Sequence, residues 1–469
     1  MKLNIKKVAS PVLITIFPIV FLFANNSKEA DIKDAIYLIL GFSFATIMAT
    51  VFLLFILHFS IKATLIAEIF SFFLLNYALL EKIIKKIFPQ LYYWHVFPLL
   101  LFVLFVLFIN IYRHLPESTT ESMIIIINIA CVSLLTFNII ISLPNIIKGG
   151  SDNRNTAEKI TIEKPQSNLP DIYYFVLDEY SNFNFIKKYY NYDNSVFESF
   201  LREKHFTISS DSYNDSDQTL TVLTNILNLD YISTNATSQK EKYDMRQSAV
   251  LYQILKKAGY ELIGVGKTDY TFALTSLTQG SKTTGIGNVR GETFSQIVLK
   301  NSFLYPLITI DHTKRAQEVL KAFDYFEDET NLKQHLVPTC TITYIESPHE
   351  PFLFDPDGRN VSPGDYYNWS DKKFYLNQYK YISEKMIRVI DNIISANPNC
   401  IIFVSSDHSA RFRDEFEAQD KKSPFHALYY CGNLMPSISG KSGVNTWRII
   451  LNELLNLKLD ENVEVPGNE

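Results

Sequence analysis

Asp407 and His408, two metal-binding side chains side by side, end the apolar, β-branched run in "CIIFVSSDHSAR". Burial in a core explains residues 401–404 of that run and fails for the pair that follows. Two other apolar segments end in a similar way. "DIYYFVL" runs into Asp178 and Glu179, and "CTITYI" runs into Glu346, with His349 three residues on. Each group taken singly would serve as a solvated charge or a helix cap. Three strands that deliver carboxylate or imidazole to one edge favour a site instead. Oxygen and nitrogen ligands without thiolates suit Zn or Mn, with Mg as a further option. Such a cation neutralises phosphate oxygens and lowers the pKa of a bound alcohol or water.

That chemistry needs a nucleophile, and "SYNDSDQTLTVLTNILNLDYI" offers one. Thr219 stands where a polar segment turns into an amphipathic helix with Leu220, Leu223, Ile226 and Leu227 on its apolar face. A hydroxyl at a helix N-terminus meets free backbone amides and the positive end of the dipole, which favours a phosphate or a developing alkoxide. Spacing alone leaves a second reading open, in which Ser216, Asp217 or Thr219 only caps the helix.

These residues need a scaffold that gathers strand ends. After the polar stretch "GGSDNRNTAEKITIEKPQSNL", apolar strands alternate with amphipathic helices. The order is "DIYYFVL", helices near 195–203, 220–229 and 249–257, "ELIGVG", a helix near 316–326, "CTITYIES", a long helix at 376–396 closed by Asn-Pro, and "CIIFVSS". This alternation predicts an α/β domain with a mostly parallel sheet sandwiched by helices. In such sheets ligands bind beyond the carboxyl ends of the strands.

The first part of the chain is different, with apolar runs at 8–24, 35–58, 63–80, 96–112 and 123–143. Each approaches the roughly 20 residues of a helix crossing a bilayer. We expect an N-terminal α-helical membrane domain, a five-span anchor over 1–146, then a linker over 147–169 and an extracytoplasmic domain over 170–469. Lys2, Lys6 and Lys7 ahead of the first run, with no small-residue cleavage pattern after it, predict an uncleaved span with a cytoplasmic N-terminus. Five crossings then put the C-terminal domain outside the cytoplasm. Lys82, Lys85 and Lys86 fall on the outer side in this scheme, against the positive-inside tendency. "FFLLNYALLEKIIKKIF" reads as the end of the third span rather than a surface helix, and Tyr92, Tyr93 and Trp94 as an interfacial belt ahead of the fourth.

The formal net charge of −5 and the lack of a basic stripe predict no nucleic-acid partner. No spacing of the four cysteines resembles a zinc site. Cys340 and Cys400 each open a predicted strand and could pair in an oxidising compartment, although buried free thiols are the favoured expectation.

The segments "YYFVLDEYS", "SDQTLTVLTNILNLDYI", "SPHEPF", "VSSDHSAR" and "GVNTWRIILNELL" occur in the order and approximate spacing of a known family. The chain resembles the sulfatase-like branch of the alkaline phosphatase superfamily over about residues 171–455, and its N-terminal anchor is similar to those of lipoteichoic acid synthase and the phosphoethanolamine transferases. The resemblance implies that Asp178, Thr219, Asp407 and His408 surround one divalent ion, with Thr219 as the nucleophile that carries the phosphoryl group. It implies a substrate or second-metal role for His349 and for His426 in "SPFHALYY". Two departures stand out. Ser409 replaces the usual Gly after the Asp-His pair, and "DSDQT" replaces Asn-Tyr-x-x-Thr, which makes Ser216 and Thr221 rival nucleophiles.

True sulfatases of this family use a Cys or Ser in a Cys/Ser-x-Pro-x-Arg setting, which this chain lacks. The resemblance therefore implies a transferase that moves a phosphoethanolamine or phosphoglycerol head group from a membrane lipid donor to a glycan or lipid acceptor of the cell envelope, at the inner membrane. A phosphodiesterase using water, and a catalytically silent membrane binding protein, are the competing readings.

Overall fold

The computed structural model describes residues 5–25, 32–88, 93–147, 169–231, 239–273, 282–283, 294–304, 312–432 and 436–460. The chain divides into two compact units, one of Met1–Gly150 with Gly291–Ile310 and one of Ser151–Arg290 with Asp311–Glu469. The expected linker lies almost wholly outside the described residues.

The first unit is built from α1 (Ile5–Asn25), α2 (Ile32–Ile56), α3 (Ile61–Leu75), α4 (Tyr77–Ile87), α5 (Tyr93–His114) and α6 (Glu117–Ile147). Four stretches, Lys7–Asn25, Ile32–Ile56, His95–His114 and Glu117–Ile140, are long and apolar enough to cross a membrane, and α3 with α4 makes a fifth if the bent pair counts as one span. The expected third span, 63–80, is broken within its length. The two helices meet at Asn76 with a bend of 70°. The Asn76 amide donates back to the carbonyl of Phe72 at 2.8 Å and makes no cap bond to α4. Past that point the sequence becomes "EKIIKKI", whose charges do not belong in hydrocarbon. Tyr92 lies outside the described residues, and Tyr93 and Trp94 open α5 itself.

A short helix from later in the chain, Phe294–Asn301, also belongs to this unit, although the sequence places it in the C-terminal domain. Phe294 and Val298 share one buried cluster with Ile19, Phe23, Ala35 and Leu75, and the Phe303 amide donates to the Leu74 carbonyl at 2.9 Å.

The second unit is an α/β domain. Its sheet contains β1 (Asp171–Leu177), β2 (Thr207–Ser209), β3 (Glu261–Gly266), β4 (Lys282–Thr283), β5 (Thr339–Ile345), β6 (Cys400–Ser406) and β7 (His426–Tyr430), in the order β2-β7-β6-β1-β5-β3-β4. β6, β1, β5, β3 and β4 run parallel, while β7 is antiparallel to β6 and β2 antiparallel to β7. β1, β5 and β6 are buried along their whole length, which is why they read as unbroken apolar runs rather than alternating ones.

The side chains still alternate between two cores. Tyr173, Phe175 and Leu177 face one with Ile402 and Val404, and Ile172, Tyr174 and Val176 face the other with Ile401 and Phe403. The second core holds Trp447 of the helix Gly443–Leu455 edge-on to Tyr174 at 5.1 Å. The registers settle the cysteine question. Cys340 pairs with Ile172 on one side of β1 and Cys400 with Asp171 on the other. Two strand spacings of roughly 4.8 Å separate them, beyond the reach of a disulfide. Both are buried free thiols.

β3 ends at Gly266, whose φ of 77° is left-handed. A Cβ there would run into the carbonyl oxygen of Tyr344 on β5. Gly266→Ala is therefore expected to lower stability by about 1–3 kcal/mol through backbone strain and displacement of β5. Chemical denaturation of the full-length protein checks this, and a midpoint equal to wild type would refute it.

Candidate active site

The parallel registers set the site. Leu177 of β1 pairs with Ser406 of β6 on one side and Ile345 of β5 on the other. One residue further on, Asp178, Asp407 and Glu346 therefore leave three adjacent strands at the same level. Asp178 and Asp407 are buried, with 4% and 0% exposure. One carboxylate oxygen of each and a ring nitrogen of His408 lie within 4.8 Å of one another.

Hydrogen bonds orient this group. Asp407 Oδ1 accepts from the amides of Glu179 at 2.9 Å and His408 at 3.0 Å, and Asp178 Oδ2 accepts from the Tyr344 hydroxyl at 2.5 Å. The other oxygens, Asp178 Oδ1 and Asp407 Oδ2, are buried with no hydrogen-bond partner. His408 Nδ1–H donates to the carbonyl of Ser409 at 2.8 Å, which leaves the Nε2 lone pair on the side of Asp407 Oδ2, 3.2 Å away. Two orphaned carboxylate oxygens and an imidazole lone pair that converge in a dry site form a donor set for a divalent cation. The oxygen and nitrogen chemistry fits Zn or Mn.

The electrostatics agree. Burial, together with the charge of Asp407, pushes Asp178 from the ordinary carboxylate range up to about 7. Burial would also raise Asp407, but His408 and the Glu179 amide outweigh it and hold Asp407 low. Burial keeps His408 below its ordinary value and so in the neutral form that ligates metals, although Asp407 opposes the shift.

Thr219 is the first residue of the helix Thr219–Asn228. Its hydroxyl stands 3.5 Å from His408 Nε2. The helix takes no side-chain cap bond, so Thr219 is not spent as a cap. Its rivals are engaged elsewhere. Ser216 Oγ accepts from the Gln218 amide at 3.1 Å, and buried Thr221 accepts from Lys242 at 2.8 Å. Asn214 ties the loop before the helix to the loop that carries Asp407 and His408 by donating to the Asp407 carbonyl at 2.8 Å.

Comparisons with known proteins can be set beside this geometry. No family model matches the chain, and no curated protein does. Solved structures do. The C-terminal periplasmic domain of EcEptC from Escherichia coli, in complex with Zn, matches at 16% identity and a TM-score of 0.42, covering 65% of this chain and 89% of its own. The integral membrane lipooligosaccharide phosphoethanolamine transferase A from Neisseria meningitidis matches at 10% identity and a TM-score of 0.44, covering 96% and 95%. The lipoteichoic acid synthase LtaP from Listeria monocytogenes matches at 12% identity and a TM-score of 0.40, covering 66% and 78%.

The two remaining histidines stand apart from the ligand group. The loop after β5 folds back so that the His349 amide donates to the Asp178 carbonyl at 3.1 Å. Buried Gln378 clamps that loop, donating to the carbonyl of His349 at 3.0 Å and accepting from the amide of Leu353 at 2.5 Å. His349 Nδ1–H is spent on the Glu350 carbonyl, and Nε2 faces Glu179 Oε2 at 4.0 Å. His426 is fully buried on β7 opposite Ser405, with its ring against Phe403 at 5.4 Å and neither nitrogen hydrogen-bonded. Burial drives it down to about 3. Among the described residues, Asp178, Asp407 and His408 are the only three-ligand group.

Glu179 and Glu346 were legible at the strand ends, but the partners that hold them, Arg411, Lys267 and Arg315, were not. Glu179, with φ of 64°, is buried and accepts from the Arg411 amide at 3.0 Å. Arg411 reaches back to His408 and to the carbonyl of Asp217. Glu346 accepts from Lys267 at 2.9 Å and from Arg315 Nε at 3.0 Å. Burial would raise Glu346, yet Lys267 and then Arg315 take it down to about 2. The cations come from segments far away in sequence, so no local spacing announces them.

Asp178 yields a pH prediction. Its folded value lies above the unfolded one, so its own contribution to stability is complete below the ordinary carboxylate range and is lost as pH rises through about 7. A cation must displace that proton. Zinc affinity, measured by competition with a chromogenic chelator, should climb up to about tenfold per pH unit from about pH 5 and level off above about 7. Asp178→Asn should flatten the slope. A wild-type slope no steeper than that of the variant would contradict the assignment.

Proposed function

We propose that the α/β unit is a metal-dependent transferase. It moves a phospho-alcohol head group, phosphoethanolamine or phosphoglycerol, from a membrane lipid to a cell-envelope glycan or lipid through a phospho-threonine intermediate on Thr219. The observation that carries this reading is the convergence of Asp178, Asp407 and His408 beside the Thr219 hydroxyl, which starts a helix and is not spent on a cap.

Asp178, Asp407 and His408 would hold the cation, with Thr219 joining them through its oxygen. Bound there, a divalent ion lowers the pKa of the threonine hydroxyl and offsets charge on the phosphoryl oxygens. In the first displacement Thr219 Oγ bonds to phosphorus and loses its proton, while the bond from phosphorus to the diacylglycerol oxygen breaks and that oxygen takes up a proton. In the second, an acceptor hydroxyl bonds to phosphorus, loses its proton, and Thr219 regains one as its own bond breaks. The helix N-terminus favours negative charge on Thr219 Oγ and on the phosphoryl group throughout. Burial of the ligand group excludes bulk water from the carboxylates.

The anchor gives this chemistry its setting. Lys7 at the start of α1, Lys62 at the start of α3 and Arg113 at the end of α5 line one cleft of the helical unit. A cluster of Lys and Arg at one end of a bundle marks the cytoplasmic side. This supports a multi-pass protein of the inner membrane with its catalytic unit outside the cytoplasm.

The test uses full-length protein with labelled phosphatidylethanolamine and phosphatidylglycerol. Wild type should bind about one metal ion and release a head group, and the donor is whichever lipid supplies it. Thr219→Ala should lose on the order of 10³-fold or more in release rate and retain the metal. Asp407→Ala should lose both. Release to water with no transfer to any envelope acceptor would make the protein a phosphodiesterase, and no release with undiminished folding would overturn the enzymatic reading.

A further inference from the structure

Arg411 is the cation that the reading above leaves without a task. Its guanidinium carries five N–H donors in a rigid fork. Of its nitrogens Nη1 makes the polar contacts, donating to the carbonyl of Asp217 and lying 3.1 Å from His408 Nε2. The stem is fixed at both sides. The Arg411 amide donates to Glu179 Oε1 at 3.0 Å, the amide of Ala410 donates to Ser181 Oγ at 2.9 Å, and the guanidinium stacks on Phe412 with 4.9 Å between its carbon and the ring centre. The donors on Nε and Nη2 are unspent.

Two of these contacts conflict with a metal in an informative way. With Nδ1–H committed to Ser409, His408 has one lone pair, on Nε2, and the Arg411 N–H takes it. A metal ion needs the same lone pair. When the ion is bound, Arg411 gives up Nε2 and keeps its anchor on Asp217, two residues before Thr219. Its freed Nη1 donor then lies beside the space next to the Thr219 hydroxyl, since both stand at that same Nε2, at 3.1 Å and 3.5 Å. A planar fork of donors beside a nucleophile matches a tetrahedral phosphoryl group, whose non-bridging oxygens take two parallel N–H bonds.

We propose that Arg411 is a phosphoryl-binding residue, a built-in positive charge that covers His408 Nε2 before the metal enters and turns onto the non-bridging phosphoryl oxygens once it is bound. The assignment rests on the metal-dependent phosphoryl-transfer reading and adds to it a second fixed cation supplied by the chain, where a second metal ion would otherwise be required. It also selects for substrate. One divalent ion and one guanidinium suit the singly charged phosphate of a diester, and a head-group diester is such a phosphate.

The experiment measures two affinities on full-length protein in detergent. Zinc affinity comes from chelator competition, and inorganic phosphate affinity from calorimetry of the zinc-loaded protein. Arg411→Ala should bind zinc at least as tightly as wild type, because nothing competes for Nε2, and should bind phosphate about tenfold or more weakly. Arg411→Lys keeps the charge without the fork and should fall between the two in phosphate affinity with zinc affinity unchanged. Phosphate affinity equal to wild type in both variants would overturn the proposal. So would a fall in zinc affinity as large as the fall in phosphate affinity, since Arg411 would then only prop His408. Should Arg411→Ala fail to reach the wild-type melting temperature, the Arg411→Lys comparison decides alone. If wild type released no lipid head group while the phosphate results stood, the lipid-transfer reading would fall and the phosphoryl-binding role would remain.

Discussion

Two buried carboxylates at the ends of neighbouring strands, with one oxygen on each left without a hydrogen bond, are the constraint around which the α/β unit is organised. Asp178 and Asp407 sit side by side because β1 and β6 run parallel in a register that ends both at Leu177 and Ser406. Like charges in a dry site repel strongly. The chain answers in part by raising the acid range of Asp178 and supplying backbone amides to Asp407. A cation among the three ligands relieves the rest.

The loops that leave the sheet are fastened to one another before they are fastened to any ligand. Tyr375 donates to the Glu179 carbonyl, Ser181 holds the amide of Ala410, Asn214 holds the carbonyl of Asp407, and Gln378 closes the loop that carries His349. Tyr375 and Gln378 come from one helix, Lys372–Ala396, and each of the four side chains reaches backbone, while Tyr375 and Ser181 also bond to each other at 2.8 Å. Backbone partners fix position to a fraction of an ångström without adding titratable groups next to the ligands. Glu346 forms a separate arrangement one strand away. Lys267 and Arg315 neutralise it with a positive excess, so the strand-end surface mixes an acidic metal corner with basic flanks. That division of charge fits the proposed phosphate ester, with Asp178, Asp407 and His408 placed to hold a cation and the basic residues to meet an anion.

The helical unit is more than a set of spans placed ahead of the α/β domain. It includes a helix returned from much later in the chain, Phe294–Asn301, packed among α1, α2 and α3. A hydrophobic run cannot encode that return, because an eight-residue amphipathic segment looks the same whether its apolar face meets a soluble core or a bundle of spans. The break at Asn76 escapes a hydropathy reading for a related reason. Averaged apolarity continues across it, and the turn is decided by where the charges of α4 begin.

The sequence by itself determined the layers and the candidate residues at the strand ends. Asp407 and His408 were legible because a buried parallel strand is apolar throughout, so its first polar residues mark the sheet edge where ligands bind. The division into apolar helices and an α/β domain, the alternation of strands and helices, and Thr219 at a helix start follow from periodicity and composition in the same way. The tertiary structure decided the rest. It placed the Thr219 hydroxyl near His408 while Ser216 and Thr221 bond elsewhere, kept Cys340 and Cys400 on opposite sides of β1, left His426 apart from Asp178, Asp407 and His408, and brought Arg411, Lys267 and Arg315 to the strand ends. The reason is physical. Burial along an element leaves a local imprint on residue choice, whereas contacts across elements depend on register and loop path, which a linear pattern does not carry.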